Sequence, residues 1–481
     1  MRKEQKNPKL NNKVSFGLSG HLTIFLSLSL TVLLGLFLFL IEASFVNFSK
    51  MKAECVTDIG MNSILGEYHR EMLAQYDLLF VDISYGTAAG STKAVENHLS
   101  GFINKNLSGD FSGDLRTLPA GVSSWNELEL SHASITATLR AHHYEGKVLK
   151  QQACAYISEN AKAAALSDLT SLAGQATSLD EKDEMASWQN TMGTITTLLA
   201  AMTNDARQEA MEDDPEADVE QISISIDNPA ADAFDEAKAW VAAADSGSGN
   251  IRLGDYYSHR ESSTTSASGY EESLAVKAAN ELLFNQYLFE KMGYHMNPKP
   301  DSRLTYQIEY ILCGANSDEK NMRGVKLRIF SWRMADNVRL YMSDKQKRAE
   351  ARTIALLATT LLLRPELTEA VTYAILFSWA FYDTKTDVDE ILDGGKVPLV
   401  KKSIGSTENG LSYQQYLGLM LVIQRERITI ARAMDIMEMD IRLTPGNQYF
   451  RIDQCLESLR VTAVYHDRYG SYEIDRRYGY Y

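Results

Sequence analysis

From Leu22 to Ile41 the chain runs twenty residues without a charge, fifteen of them Leu, Ile, Val or Phe. At about 1.5 Å per residue a helix of that length spans roughly 30 Å, the thickness of a bilayer's hydrocarbon core. Insertion is favourable even with Thr23, Ser27, Ser29, Thr31 and Gly35 opposing it. A cleavable signal would have a shorter apolar stretch ending in a small-x-small site, and Glu42-Ala43-Ser44 is a poor match. The pattern therefore predicts a transmembrane helix over 21–41, with Leu22, Leu30, Gly35 and Ile41 marking its ends and middle. Beyond Glu42, Phe45, Phe48, Val56, Ile59, Leu65, Tyr68, Met72 and Tyr76 recur mostly at helical spacing between polar positions. With no proline between Pro8 and Pro119, and with Gly60 and Gly66 weakening the pattern without breaking it, one helix is predicted from Leu22 to about Tyr76.

Residues 42–130 read as this stalk helix and the start of an outer domain, with Leu78–Ser84 as a short strand. Residues 131–207, rich in Ala, Leu and Gln, read as a helical insertion. An acidic and Ser/Gly-rich linker region covers 208–270, with a candidate strand at Ile222–Ile226. The second part of the outer domain covers 271–466. In it Leu304, Tyr306, Ile308, Tyr310 and Leu312 alternate as in a strand, predicted to pair with Leu456–His466. Pro365 marks a helix start and Gly394 a helix end. The apolar stretch around that proline is interrupted by Arg364, Glu366 and Glu369, which leaves core helices rather than a second membrane pass. The Tyr-rich tail, 467–481, reads either as a contact segment or as a loose terminus. The expected fold is α+β, predominantly helical, with a small antiparallel sheet.

Charge sharpens this picture. The net charge is −15, yet Arg2, Lys3, Lys6, Lys9 and Lys13 crowd the cytoplasmic leader, 1–20. That basic flank orients the anchor with its N-terminus in the cytoplasm and everything after Glu42 outside. The acidic remainder argues against nucleic acid as a partner. The four cysteines, Cys55, Cys154, Cys313 and Cys455, have no zinc-binding spacing. They read as four buried thiols or as one disulfide, Cys313–Cys455, next to strand-like segments.

Candidate chemistry is thin. In "FVDISYG", Asp82 and Ser84 match a metal-adhesion DxSxS pattern, but Gly86 stands at its third position, and a strand ending in a polar turn is the simpler account. His142 and His143 are expected at the surface, and Asp387 and Asp389 at a helix N-terminus. No GxSxG, HExxH or phosphate-loop motif occurs. No enzyme activity, cofactor or metal is expected.

The segment from "GHLTIFLSLSL" to "LLFVDISYG", with "YQIEYILCGANSDEKNM", "AILFSWAFYDTKTDVDEILDGGKVPLVK" and "NQYFRIDQC", is similar to an uncharacterised clostridial family, domain-of-unknown-function family 5702. The basic leader, Gly20 and the membrane-to-stalk helix also resemble TadE/TadG-type pseudopilins of tight-adherence (Tad) pilus systems. The resemblance implies a surface-exposed, membrane-anchored protein of Gram-positive cells, and no known activity. Prepilin-type cleavage between Gly20 and His21 would want a glutamate where Phe25 stands, so an uncut anchor is expected. The expected partners are membrane lipid and pilin-like or other membrane helices in a surface assembly. An anchored receptor or scaffold unrelated to pili, and a surface enzyme of unrecognised type, remain the alternatives.

Overall fold

A computed structural model of the chain describes residues 17–107, 128–160, 250–260, 274–361 and 365–480. Most of the leader, most of the predicted helical insertion and most of the linker region, with the Ile222–Ile226 strand, lie outside them. The described residues fall into two compact units, one built from those within 17–67, 91–138 and 458–479, the other from those within 68–90, 139–457 and at 480. The fold is α+β and mostly helical, with a small antiparallel sheet of four strands.

In the first unit, helix α1 runs from Gly17 to Leu65 without interruption. Its C-terminal part carries a buried stripe, Ser49, Ala53, Val56, Thr57, Gly60, Met61 and Ile64, at three- and four-residue steps. This stripe packs on another helix of the same unit, Thr92–Leu107, whose own stripe is Val95, Leu99 and Ile103. Gly60 permits the approach, because a Cβ there would stand 2.9 Å from Ile103 and 3.1 Å from Leu99.

Three strands complete the unit: most of β2 (Glu129–Arg140, preceded in the chain by the two-residue β1, Val81–Asp82), most of β3 (Cys455–Asp467) and β4 (Gly470–Gly479). β3 and β4 form an antiparallel hairpin in register from Ser458↔Gly479 to Asp467↔Gly470. Asp467 closes its turn by accepting from the Tyr469 and Gly470 amides. The helix is tied to this hairpin by a buried Thr57–Tyr465 hydroxyl contact of 2.6 Å, and by Arg476, which sits 3.2 Å from Glu54 and 3.3 Å from Asp58.

Four expectations are corrected here. The first helix ends at Leu65, where the Gly66 amide closes on the Asn62 carbonyl, and α2 (Arg70–Tyr76) is separate, capped by the His69 ring accepting from the Met72 amide. Residues 131–140, read as helical, belong to β2. The Tyr-rich tail is β4, with Tyr472 and Ile474 alternating against exposed polar positions. Residues 304–312 are not a strand but enter α6 (Gln307–Cys313), so the pairing with 456–466 does not exist. Buried on every face from Gln307 to Leu312, that segment satisfies period two and period 3.6 alike.

The second unit is built on helices. The helix Thr92–Leu107 being α3, the others are α4 (Lys147–Asn160), α5 (Leu274–Lys291), α6, α7 (Asp318–Ser343), α8 (Lys345–Leu361), α9 (Thr368–Leu392), α10 (Tyr413–Ile423) and α11 (Glu426–Arg442). In this unit β1 pairs with the start of β3, Val81↔Leu456 and Asp82↔Cys455, which bears out a short strand within 78–84. α9 packs on both α7 and α8, and α4 on α5. Pro365 opens the turn into α9 and Gly394 follows its end with φ +90°, as the sequence predicts. From Ala433 to Ile441 α11 is buried at every position, acids included.

Candidate membrane anchor and the buried acidic helix

The chemistry of the α1 apolar segment is that of a surface with no unmet polar group. Leu22, Leu30 and Ile41 are half or more exposed, and a Cβ on Gly35 would meet nothing within 4 Å. Gly20 and His21 lie in the first turns of the same helix. The hydroxyls that oppose insertion are satisfied by the helix itself: Ser27 donates to the Ile24 carbonyl, Ser29 to Leu26 and Thr31 to Ser27, at 2.8–3.0 Å. In hydrocarbon this matters, because a hydroxyl without a partner costs several kcal/mol there, roughly 4–8 by transfer to cyclohexane. Among the described residues, α1 is the one helix long and apolar enough to cross a membrane.

The other concentration of chemistry is on α11, in the second unit. The stretch "AMDIMEMDI" surrounds three acids with Met and Ile, so the helix must be buried all round and its carboxylates must find donors. They do so in four directions. Asp435 accepts from Tyr310 Oη at 2.8 Å and from the Ser258 amide and hydroxyl. Glu438 takes a bidentate pair from Arg260, at 2.6 and 2.9 Å, and the Ile452 amide. Asp440 accepts from Tyr76 and Gln307, both at 2.8 Å, with Lys299 Nζ at 3.2 Å. Burial pushes Asp435 up to about 6, against the pull of Ser258 and Tyr310. These acids brace α2, α6 and the loops at 258–260 and 452 against one helix. Arg432, one turn earlier, caps the other side of α6 by donating to the Ile311 and Leu312 carbonyls. Gly314, with φ +69°, leaves room for that guanidinium.

Glu309 on α6 is a second strongly perturbed carboxyl. One oxygen accepts from Tyr413 at 2.7 Å and from the His295 amide at 2.9 Å, while the other is buried without a hydrogen bond. Burial raises it to about 7 from 4.5, against those two donors. The folded state therefore holds this proton more tightly than the unfolded chain. Its stabilisation is complete below the unfolded value of 4.5 and is lost as pH rises through about 7. Between about pH 4.5 and pH 7.5 this should remove about 3 kcal/mol. Glu309→Gln is expected to flatten that part of the stability–pH profile, read from urea midpoints in detergent. An unchanged slope would place the proton elsewhere.

The residues singled out in the sequence are dispersed. Asp82 accepts from the Ser84 amide and hydroxyl, a polar turn closing β1. His142 is not at the surface: it is buried beside His143, ring centroids 4.7 Å apart, and burial holds it down to about 4. Asp387 and Asp389 lie in the last turns of α9, not at a helix start. A carboxylate there opposes the helix dipole, and Asp387 is compensated by Lys401 at 2.7 Å and Arg333 at 3.0 Å. Cys313 and Cys455 form no disulfide. Both are free thiols, Cys313 against Gly324 of α7 and Cys455 within β3. Among the described residues no three His, Cys, Asp or Glu converge as a metal site. Sequence reading passed over Asp435, Glu438, Asp440 and Glu309, although acids inside a run apolar on every face were a signal for them.

No curated protein and no solved structure matches the chain. Its C-terminal region, residues 243–404 and 402–467, matches the model of a family of unknown function (DUF5702), which takes in α5 to α11 and β3.

Proposed function

We propose that this is a single-pass membrane protein with a cytoplasmic N-terminus and an extracytoplasmic folded region, acting as an accessory, pseudopilin-like component of a Tad-type pilus or related surface assembly. The observation that supports it is the continuity of α1. One helix carries an apolar, outward-facing segment and then, without a break, packs on α3 and the β3–β4 hairpin of its own unit. A helix held that way transmits position from lipid to a folded domain, which a flexible tether does not. Within lipid, Ser27, Ser29, Thr31 and Gly35 offer small side chains for close lateral approach of a second helix.

Two measurements test the two parts. Cys55 is an exposed thiol on α1 beyond the apolar segment, so a membrane-impermeant maleimide should label it in intact cells. Labelling only after lysis would reverse the orientation. Gly35→Cys should form a thiol cross-link to another membrane helix in native membranes, and Gly35→Leu should weaken assembly. If a scrambled, equally apolar segment supports full assembly, α1 is only a tether and the pseudopilin role falls.

A further inference from the structure

The β3–β4 hairpin runs along α1 toward the apolar segment. Tyr465 meets Thr57 at 2.6 Å, Asp467 accepts from the Ser49 hydroxyl, and the Tyr469 ring stacks on Phe45 with centroids 6.2 Å apart. Each step along the strand and into the turn lands closer to Ile41, so the hairpin tip is the part of the hairpin nearest the apolar segment. Phe45 lies four residues past Ile41, about 6 Å along the axis at the usual rise per residue. The headgroup layer on each side of a bilayer is roughly 5–7 Å thick, half the difference between the whole bilayer and its hydrocarbon core. A helix that buries Leu22 to Ile41 in hydrocarbon therefore places Phe45, and the tip stacked on it, among the headgroups. Glu42, the first charge after the apolar segment, stands at the same boundary.

The chemistry of the tip suits that layer. Arg468 is exposed, and its guanidinium lies over both rings, 4.5 Å from the Tyr469 centroid and 5.8 Å from that of Phe45, while donating to the Tyr469 hydroxyl. The neighbouring carboxylate, Asp467, is engaged within the hairpin by the Tyr469 and Gly470 amides and the Tyr472 hydroxyl. A guanidinium stacked by its face on aromatic rings still presents N–H groups at its edge, the geometry that binds phosphate in bidentate fashion. Tyrosine, apolar along the ring and polar at its end, is itself favoured at the level of the headgroups.

We infer that the hairpin tip is a headgroup-binding site: Arg468 pairs with a phospholipid phosphate of the leaflet it faces, with Tyr469 and Phe45 packed in the same layer. The inference rests on the membrane-spanning reading of α1, which supplies the bilayer and its level. A second lipid contact beside the helix fixes the depth of α1 and holds the first unit upright on the membrane surface.

The test uses the full chain in phosphatidylcholine–phosphatidylglycerol vesicles and phosphate-free buffer, so that lipid is the only source of phosphorus. A bimane label in the Cys55→Ser/Tyr469→Cys variant reports on the tip, and the Cys55→Ser chain subtracts labelling at other thiols. With a phosphatidylcholine spin-labelled on its headgroup, the tip label is expected to lose about half its emission or more. A label on native Cys55, about 21 Å beyond Ile41 along α1, is expected to lose about a tenth. The phosphate contact is read by solid-state NMR on chain isotope-labelled in its guanidinium carbons. The arginine signal dephased by lipid phosphorus should fall by about one arginine's share in Arg468→Gln. Resistance to carbonate extraction reports on α1 separately, and its loss removes the anchor reading. Retained protein whose tip label is quenched no more than the Cys55 label overturns the contact with lipid. A quenched tip with an arginine signal unchanged in Arg468→Gln assigns that guanidinium to Glu42 or another group of the chain, and overturns the phosphate site.

Discussion

Arg333→Leu is expected to destabilise the second unit by about 3–5 kcal/mol, the usual result of removing one partner from a buried ion pair. Arg333 is fully buried on α7, and its guanidinium is committed on every side. It donates to Asp387 at 3.0 and 3.1 Å, to Asp336 at 3.0 Å, and to the Pro398 and Leu399 carbonyls at 2.9 and 2.8 Å. It thus joins α7, the end of α9 and the segment at 398–399 through one side chain. Without it, two carbonyls lose their donor, Asp336 keeps only the half-exposed Arg339 as a cation, and Asp387 keeps only Lys401. Lys401 and Asn337 still reach Asp387, which is why partial rather than complete unfolding is expected. The informative comparison is with Arg333→Met/Asp387→Leu/Lys401→Met, which removes Arg333 together with the Asp387–Lys401 pair, leaves Asp336 to Arg339, and should recover most of the loss. Hydrogen exchange of α7 and α9 peptides, with urea midpoints on the detergent-solubilised chain, measures both. If the single variant is as stable as the parent, the cluster does not hold these helices.

How much of this was visible in the sequence depends on how far each signal reaches along the chain. The apolar segment of α1 declares itself because twenty uncharged residues form a local pattern. Its end did not, because Gly66 without a proline is a weak stop, and the break is secured by the His69 cap of α2. The helix over 307–313 escaped because a segment buried on all sides has no polar face to set its period. β2 was hidden by Ala and Leu in its surroundings, although Ile135, Thr136 and Thr138 are β-branched and favour a strand. β4 was hidden by its own tyrosines, which read as adhesive until the Asp467 turn is seen to fold them back. The buried acids were least legible. Asp440 meets Tyr76 from 364 positions away, and Asp435 meets Tyr310 from 125, so no local pattern announces either pair.

The same distinction between local and non-local determinants governs the anchor, where the local pattern is enough for a quantitative expectation. Leu30 stands near the middle of the 22–41 segment, half exposed, and among the described residues nothing covers it that would shelter a charge. Leu30→Arg replaces a favourable transfer by a cost at the centre of the bilayer, a change of about 3 kcal/mol. Leu22→Arg should cost far less, since a side chain at the end of the segment reaches the headgroups. One central arginine should therefore weaken retention of the full chain against carbonate extraction. Leu30→Arg with Leu34→Arg, at about 6 kcal/mol if the two costs add, should release most of it. The depth dependence is the discriminating part. A segment that merely associates with membranes through its apolar surface would respond alike at Leu22 and Leu30. A spanning helix responds at Leu30 and tolerates Leu22. Equal extraction of the Leu22→Arg and Leu30→Arg variants would mean that α1 does not cross the bilayer.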